Sequence, residues 1–185
     1  MSLKKVLRQK IEAHRPRTTR LMKEFGKVKI DEVTIDQCIG GARDIRALVT
    51  DISYLDPQEG IRFRGKTISE TFEMLPKAEG SNYPTVEAFW FFLLTGEVPN
   101  EEQLEATMLE FKARQHVPHY VFEIIRAMPI DTHPMTMLST GILAMQKDSV
   151  FHEFYSSGQF NKNTAWEYVY EDAFDIVARI PVLAA

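Results

Sequence analysis

The sequence predicts a mainly α-helical fold with one small β-hairpin, and three observations carry that expectation. Apolar residues recur at helical spacing over residues 3–25 and through most of the chain after residue 67. Helix-opening and helix-closing residues punctuate those stretches, among them Thr85 and Gly96, Asn100 with Gln103, Pro118, and His133-Pro134. Only residues 28–67 differ in character. There a strand-like run over residues 46–55 meets the turn residues Asp56-Pro57-Gln58-Glu59-Gly60, and Ile61-Arg62-Phe63-Arg64-Gly65 alternates apolar with basic. That is a hairpin near residues 46–65 with a loop slightly longer than the tightest types.

Each element has its own signal. Leu3, Val6, Leu7, Ile11, Leu21, Met22 and Phe25 give an amphipathic helix or helix pair ending at Gly26. A short helix over residues 69–75 is stopped by Pro76. Residues 88–94, Ala-Phe-Trp-Phe-Phe-Leu-Leu, read as a helix buried on all sides and closed by Gly96. Asn100 and Gln103 cap a helix that runs to about Arg114, and Pro118 opens one reaching residue 127 or 128. Pro134 suits the first turn of the next helix, where its missing N–H costs nothing, and Met135, Leu138 and Met145 begin its apolar face. A short segment over residues 151–156 follows. Asn163, as N-cap, then heads a long helix to the end.

With 185 residues, the chain is one fair-sized domain or a large piece of one. Hydrophobic content of 44% with 26% charged residues is that of a globular protein rather than a disordered one. The net charge of −4 provides no global basic field for nucleic acid, and the longest apolar run is too short to cross a bilayer. Neither partner is expected. The basic start, from Lys4 to Lys23, reads as a solvated surface helix, with an organelle-targeting stretch as the alternative. The closing run Ile180-Pro181-Val182-Leu183-Ala184-Ala185 is apolar and uncapped, so the chain is expected to be part of a larger fold.

Catalytic constellations are sparse. Cys38 stands alone, which excludes a disulfide framework and a thiolate metal site. His14, His116, His119, His133 and His152 form no helical zinc motif and read as surface or helix-end histidines. Glycine-rich phosphate loops and nucleophile elbows are absent from the sequence. Gly40-Gly41-Ala42-Arg43 is a tight turn bearing a guanidinium, which is either structural or an anion site. Arg62 and Arg64 fall on one side of a strand by the period of two and read as a solvated hairpin face. The pairs Glu101-Glu102 and Glu171-Asp172 read as surface or helix N-terminal charges.

Several segments stand in a telling order. They are Gly40-Gly41-Ala42-Arg43, then Leu55-Asp56-Pro57-Gln58-Glu59-Gly60-Ile61-Arg62-Phe63-Arg64-Gly65, Leu75-Pro76-Lys77-Ala78, and Phe89-Trp90 with Leu94-Thr95-Gly96. Pro99-Asn100-Glu101-Glu102-Gln103, His133-Pro134-Met135, Trp166-Glu167, Tyr170-Glu171-Asp172 and Ile180-Pro181 complete the series. Together they resemble citrate synthases of the longer type found in mitochondria and some bacteria, and the hairpin string is their most specific part.

The resemblance implies a helical, homodimeric acyltransferase that condenses acetyl-CoA with oxaloacetate and needs no cofactor beyond acetyl-CoA as substrate. It implies that residues 1–185 are the amino-terminal part of the larger of two domains, inactive by themselves. The proton-moving histidines and aspartate of the family lie beyond this stretch, so no catalytic residue is carried over. Two ligand positions are: Arg43 matches an arginine that contacts CoA phosphates, and Lys162, four residues before Trp166, falls where the family often has an arginine. A lysine there offers a point charge instead of a bidentate fork. The alternatives are a 2-methylcitrate synthase-type enzyme and a non-enzymatic helical binding module. The expected location is the bacterial cytoplasm, no presequence being visible, with the mitochondrial matrix as alternative.

Overall fold

The computed structural model describes residues 1–45, 49–50 and 52–185. It divides into two units, residues 1–104 and 105–185, and the division falls within one helix.

In the first unit, α1 (Leu3–Phe25) is one continuous helix despite Pro16, so of the two expected forms the single helix is the one found. Its first turns bury Leu3 and Val6 and pack on α4 (Val86–Thr95). Helix α2 (Ile35–Ile39) has no counterpart among the expected elements. Its signal is the pair Thr34 and Gln37, a reciprocal capping box in which each side chain satisfies the other's orphan backbone N–H. The same device opens α3 (Ile68–Met74), between Thr67 and Glu70. That places its start one residue earlier than the apolar spacing suggests.

Helix α4 carries the core of this unit. Ala88, Phe91, Phe92 and Thr95 are buried, whereas Phe89, Trp90, Leu93 and Leu94 are partly covered. Thr85 caps it and Gly96 ends it in the left-handed region at φ 74°, where a side chain would be strained. Strands β1 (Ser53–Asp56) and β2 (Gly60–Phe63) pair antiparallel, Leu55 opposite Ile61. Among the described residues the hairpin covers 53–63; residues 46–48 and 51 of the expected one lie outside the described residues. Asp56 makes the turn by accepting from the N–H groups of Gln58 (2.8 Å) and Glu59 (2.9 Å). Those bonds, Glu59's first, hold the Asp56 carboxyl below the usual carboxylate range.

The chain leaves β2 in a way that strict alternation does not give. Arg64 has φ 50°, so it departs from the strand instead of sharing a face with Arg62. Arg62 stays outside, paired with Glu59 at 2.6 Å. Arg64 turns inward and donates from Nε to Leu93 O (2.8 Å) and from a terminal nitrogen to Leu94 O (2.9 Å). It thus satisfies carbonyls that the end of α4 would leave orphaned. Beside it, Phe63 meets Phe89 edge-on at 4.9 Å.

Helix α5 (Glu101–Arg114) starts with the expected box, Asn100 and Gln103 bonding each other's backbone N–H at 2.9 Å. Then come α6 (His119–Arg126), α7 (Pro134–Ala144), a 3-10 turn at Met145–Asp148, α8 (Val150–Ser156) and α9 (Ala165–Ala184). The core of the second unit gathers Val117, Val121 and Met145 with Ile125, Ile142 and Leu183 around them. Gly141 is buried where α7 approaches α9, and a Cβ there would lie 2.9 Å from Leu183. His133 caps α7, its Nδ1 accepting from Met135 N at 3.2 Å. Met135 itself points outward, 60% exposed, contrary to the expected apolar face. At α9 the cap position falls to Thr164 in place of Asn163, whose own N–H is bound to Asn161 Oδ1 at 2.9 Å.

Candidate functional site

The turn after α2 is built by backbone that most side chains resist. Gly41, Ala42 and Asp44 have φ of 83°, 60° and 60°, so Arg43 stands between left-handed residues. Gln37 secures the turn: its carbonyl accepts from Ala42 N (2.8 Å) and its side-chain Nε2 donates to Arg43 O (3.3 Å). One glutamine therefore caps α2 and holds the loop that follows. The Arg43 side chain is exposed.

Lys162 lies in the second unit, exposed in the turn before α9. Asn161 organises that turn, accepting from Thr164 N at 3.1 Å on its carbonyl and from Asn163 N on its side chain. Each cation is thus presented by a locally determined turn in its own unit.

Two charge clusters go beyond what the sequence leads one to expect. Arg114 on α5 donates to Asp175 (2.8 Å), Glu110 (3.0 Å) and Glu171 (2.5 Å), and its guanidinium lies over the Phe174 ring at 5.1 Å. Burial opposes its charge, yet the bonds to Asp175 and Glu171 outweigh that and raise its pKa above the ordinary arginine value. Arg179 pairs with Asp175 at 3.1 Å. Burial, then the nearby Glu110 charge, pushes the Tyr170 hydroxyl above the usual phenol range. The signals are carboxylates and arginines repeating at four-residue spacing, Glu110 with Arg114 and Glu171, Asp175 and Arg179.

The second cluster centres on Asp172. Its carboxylate accepts from Ser149 Oγ (2.5 Å), Val150 N (2.7 Å) and Phe151 N (3.2 Å), capping α8 from a neighbouring helix. Glu171 and Asp172 are therefore internal ties and not the surface charges expected. Glu102 does sit outside, against the Met1 ammonium at 2.9 Å.

All five histidines are exposed. His119 Nδ1 lies 3.3 Å from Glu123, and His133 serves as a cap. Among the described residues, no three of His, Cys, Asp and Glu come together as a metal site would require. No helix among them is long and apolar enough to cross a membrane.

The family model described as "Citrate synthase, C-terminal domain" matches residues 41–185. A mitochondrial citrate synthase of Neurospora crassa is 47% identical over 165 residues, 89% of this chain and 35% of the relative. The mitochondrial citrate synthase of Aspergillus niger is 42% identical over 184 residues, 100% of this chain and 38% of the relative. That of Saccharomyces cerevisiae is 40% identical over 184 residues, with the same coverage of 100% and 38%. The chain spans somewhat over a third of the length of the curated relatives it matches. The match extends across both units and includes the Arg43 turn, the hairpin and the Lys162 turn: the chain belongs to the citrate synthase family.

Proposed function

We propose that this chain is part of an enzyme that condenses acetyl-CoA with oxaloacetate and water to give citrate and CoA. The observation that carries the reading is sequence identity of 40–42% running the whole length of the chain to proteins named for that activity. Within the enzyme the chain supplies the amino-terminal part of the larger domain. Arg43 and Lys162 hold CoA phosphates: an arginine brings several donors in a fixed fork, a lysine a mobile point charge. The chemistry they serve is proton removal from a weakly acidic thioester methyl, which needs a placed base and a donor to the enol oxygen. No residue of this chain takes those proton-moving roles.

The enzyme is a homodimer, and α7 contributes to the contact between subunits. This helix contains no charged residue. One side, around Gly141, is packed, while Met135, Ser139 and Leu143 recur four apart on the other, Met135 60% and Leu143 74% exposed. The mitochondrial names of the relatives support the mitochondrial alternative over a bacterial cytoplasmic location.

The test is a graft. This chain replaces the matching 38% of the Aspergillus niger enzyme, and CoA release is followed with both substrates present. Release that requires both acetyl-CoA and oxaloacetate supports the proposal; a folded graft that releases none contradicts it.

A further inference from the structure

Residues 31–44 are all exposed except Gln37, which is partly buried. Its side-chain amide is engaged at both ends. Oε1 accepts from the Thr34 N–H at 3.0 Å, completing the cap of α2, and Nε2 donates to the Arg43 carbonyl at 3.3 Å. The partners fix which end is which, since an N–H needs an acceptor and a carbonyl needs a donor.

Of the two usual residues at this place in a capping box, only glutamine meets both demands. The box that opens α3 uses Glu70, and a carboxylate caps as well as an amide does. Glutamate at position 37 would keep the cap of α2, but it has no N–H to give to Arg43. The need for a donor therefore comes from the turn and not from the helix. That turn has little else in its own sequence to favour it. Ala42 and Asp44 stand at φ 60° on either side of Arg43, and alanine has no polar side chain with which to offset the left-handed region. The bond from Ala42 N to the Gln37 carbonyl and the bond from Gln37 Nε2 to the Arg43 carbonyl bracket residues 42 and 43. The direction in which the Arg43 side chain leaves the backbone is thus set from α2. A long side chain with a fixed base gives up less freedom when it closes on a ligand.

We propose that Gln37 is a positioning residue for Arg43, aiming its guanidinium at the phosphates of CoA through the Nε2 tie to the Arg43 carbonyl. This role rests on Arg43 meeting CoA phosphate; Gln37 itself need not touch the ligand.

The test uses the Aspergillus niger enzyme carrying this chain, with free CoA titrated by calorimetry and turnover followed alongside. Gln37→Glu weakens CoA binding and raises the KM for acetyl-CoA at least about threefold, as one lost neutral hydrogen bond predicts, while kcat and the KM for oxaloacetate stay within about twofold. Gln37→Met, which is neutral, repeats the loss. With Arg43→Ala already present, Gln37→Met changes CoA affinity less than about 1.5-fold, because the group it aims is gone. Thr34→Ala is the control for structure: it removes the hydroxyl that caps Gln37 N and lowers the melting temperature, yet it spares the Nε2 tie and leaves CoA affinity unchanged. CoA affinity unmoved by Gln37→Glu or Gln37→Met, an equal loss when Arg43→Ala is present, or an equal loss in Thr34→Ala overturns the proposal. CoA affinity that falls with Arg43→Ala but not with either Gln37 variant removes the positioning role alone. CoA binding that follows both residues in a graft without turnover removes the condensing function alone. Affinity unmoved by Arg43→Ala removes the phosphate contact and the positioning role together.

Discussion

Arg64 reaches from the end of the hairpin to Leu93, its Nε donating to the leucine carbonyl at 2.8 Å, so one guanidinium fastens β2 to the end of α4. It does so from a left-handed backbone position, φ 50°. Arg64→Ala removes two charge-assisted bonds to partly covered carbonyls and keeps the strained backbone; urea unfolding should show a loss of about 2–3 kcal/mol. Arg64→Gly loses the same bonds but relieves the backbone and should be about 1 kcal/mol less damaging than alanine. Equal losses would show that the backbone position carries no strain.

Arg114 is the tie of the second unit. With side chains 24% exposed, the Glu110, Glu171 and Asp175 carboxylates keep part of their hydration. Arg114→Met leaves them facing one another while Arg179 stays on Asp175, and the expected loss is about 2–3 kcal/mol by urea unfolding. Arg114→Lys keeps the charge but cannot reach three partners in fork geometry, so it should recover only part.

Acid should open the hairpin turn before it unfolds the helices. The folded-state pKa of Asp56 is depressed, so its stabilisation is fully present above the ordinary carboxylate value of 3.8 and is lost as pH falls below that value. Amide exchange at Gln58 and Glu59, measured between pH 5 and pH 3, should lose protection relative to the intrinsic rate, slowing less towards the acid end than that rate does. Asp56→Asn should show no such pH step.

At Gly141 two effects compete. Alanine raises helix propensity by about 1 kcal/mol but places its Cβ against the ends of Leu183 and Ile125, both flexible side chains. Gly141→Ala should therefore change the melting free energy by less than about 1 kcal/mol. Gly141→Val adds branches that cannot be absorbed and should cost about 2 kcal/mol.

Much of this architecture is legible in the sequence because its signals are local. Asn100 with Gln103, Pro134 after His133, and Gly96 after an apolar run each fix a helix end through backbone chemistry within a few residues. The short α2 is hard to see although Thr34 and Gln37 have the spacing of a capping box, because five residues give barely one turn of apolar spacing, too little to tell a helix from a loop. The roles of Arg64, Arg114 and Asp172 are hidden for another reason. Their partners lie 29, 61 and 22 residues away, and only the fold makes them neighbours. Strand alternation likewise fails at Arg64, since the chain leaves β2 one residue earlier. Of the site, Arg43 and Lys162 come from resemblance to a family; spacing within the sequence shows a cationic turn but no ligand.

Arg43 is also where the functional reading is most directly exposed to measurement. In the Aspergillus niger enzyme carrying this chain, steady-state kinetics would compare Arg43 with Arg43→Ala at varied acetyl-CoA and, separately, varied oxaloacetate. Loss of one charged phosphate contact, about 1.5–3 kcal/mol, should raise the KM for acetyl-CoA at least about tenfold and leave kcat and the KM for oxaloacetate within about twofold. An unchanged KM for acetyl-CoA, or an equal rise for both substrates, would contradict a CoA phosphate site at Arg43.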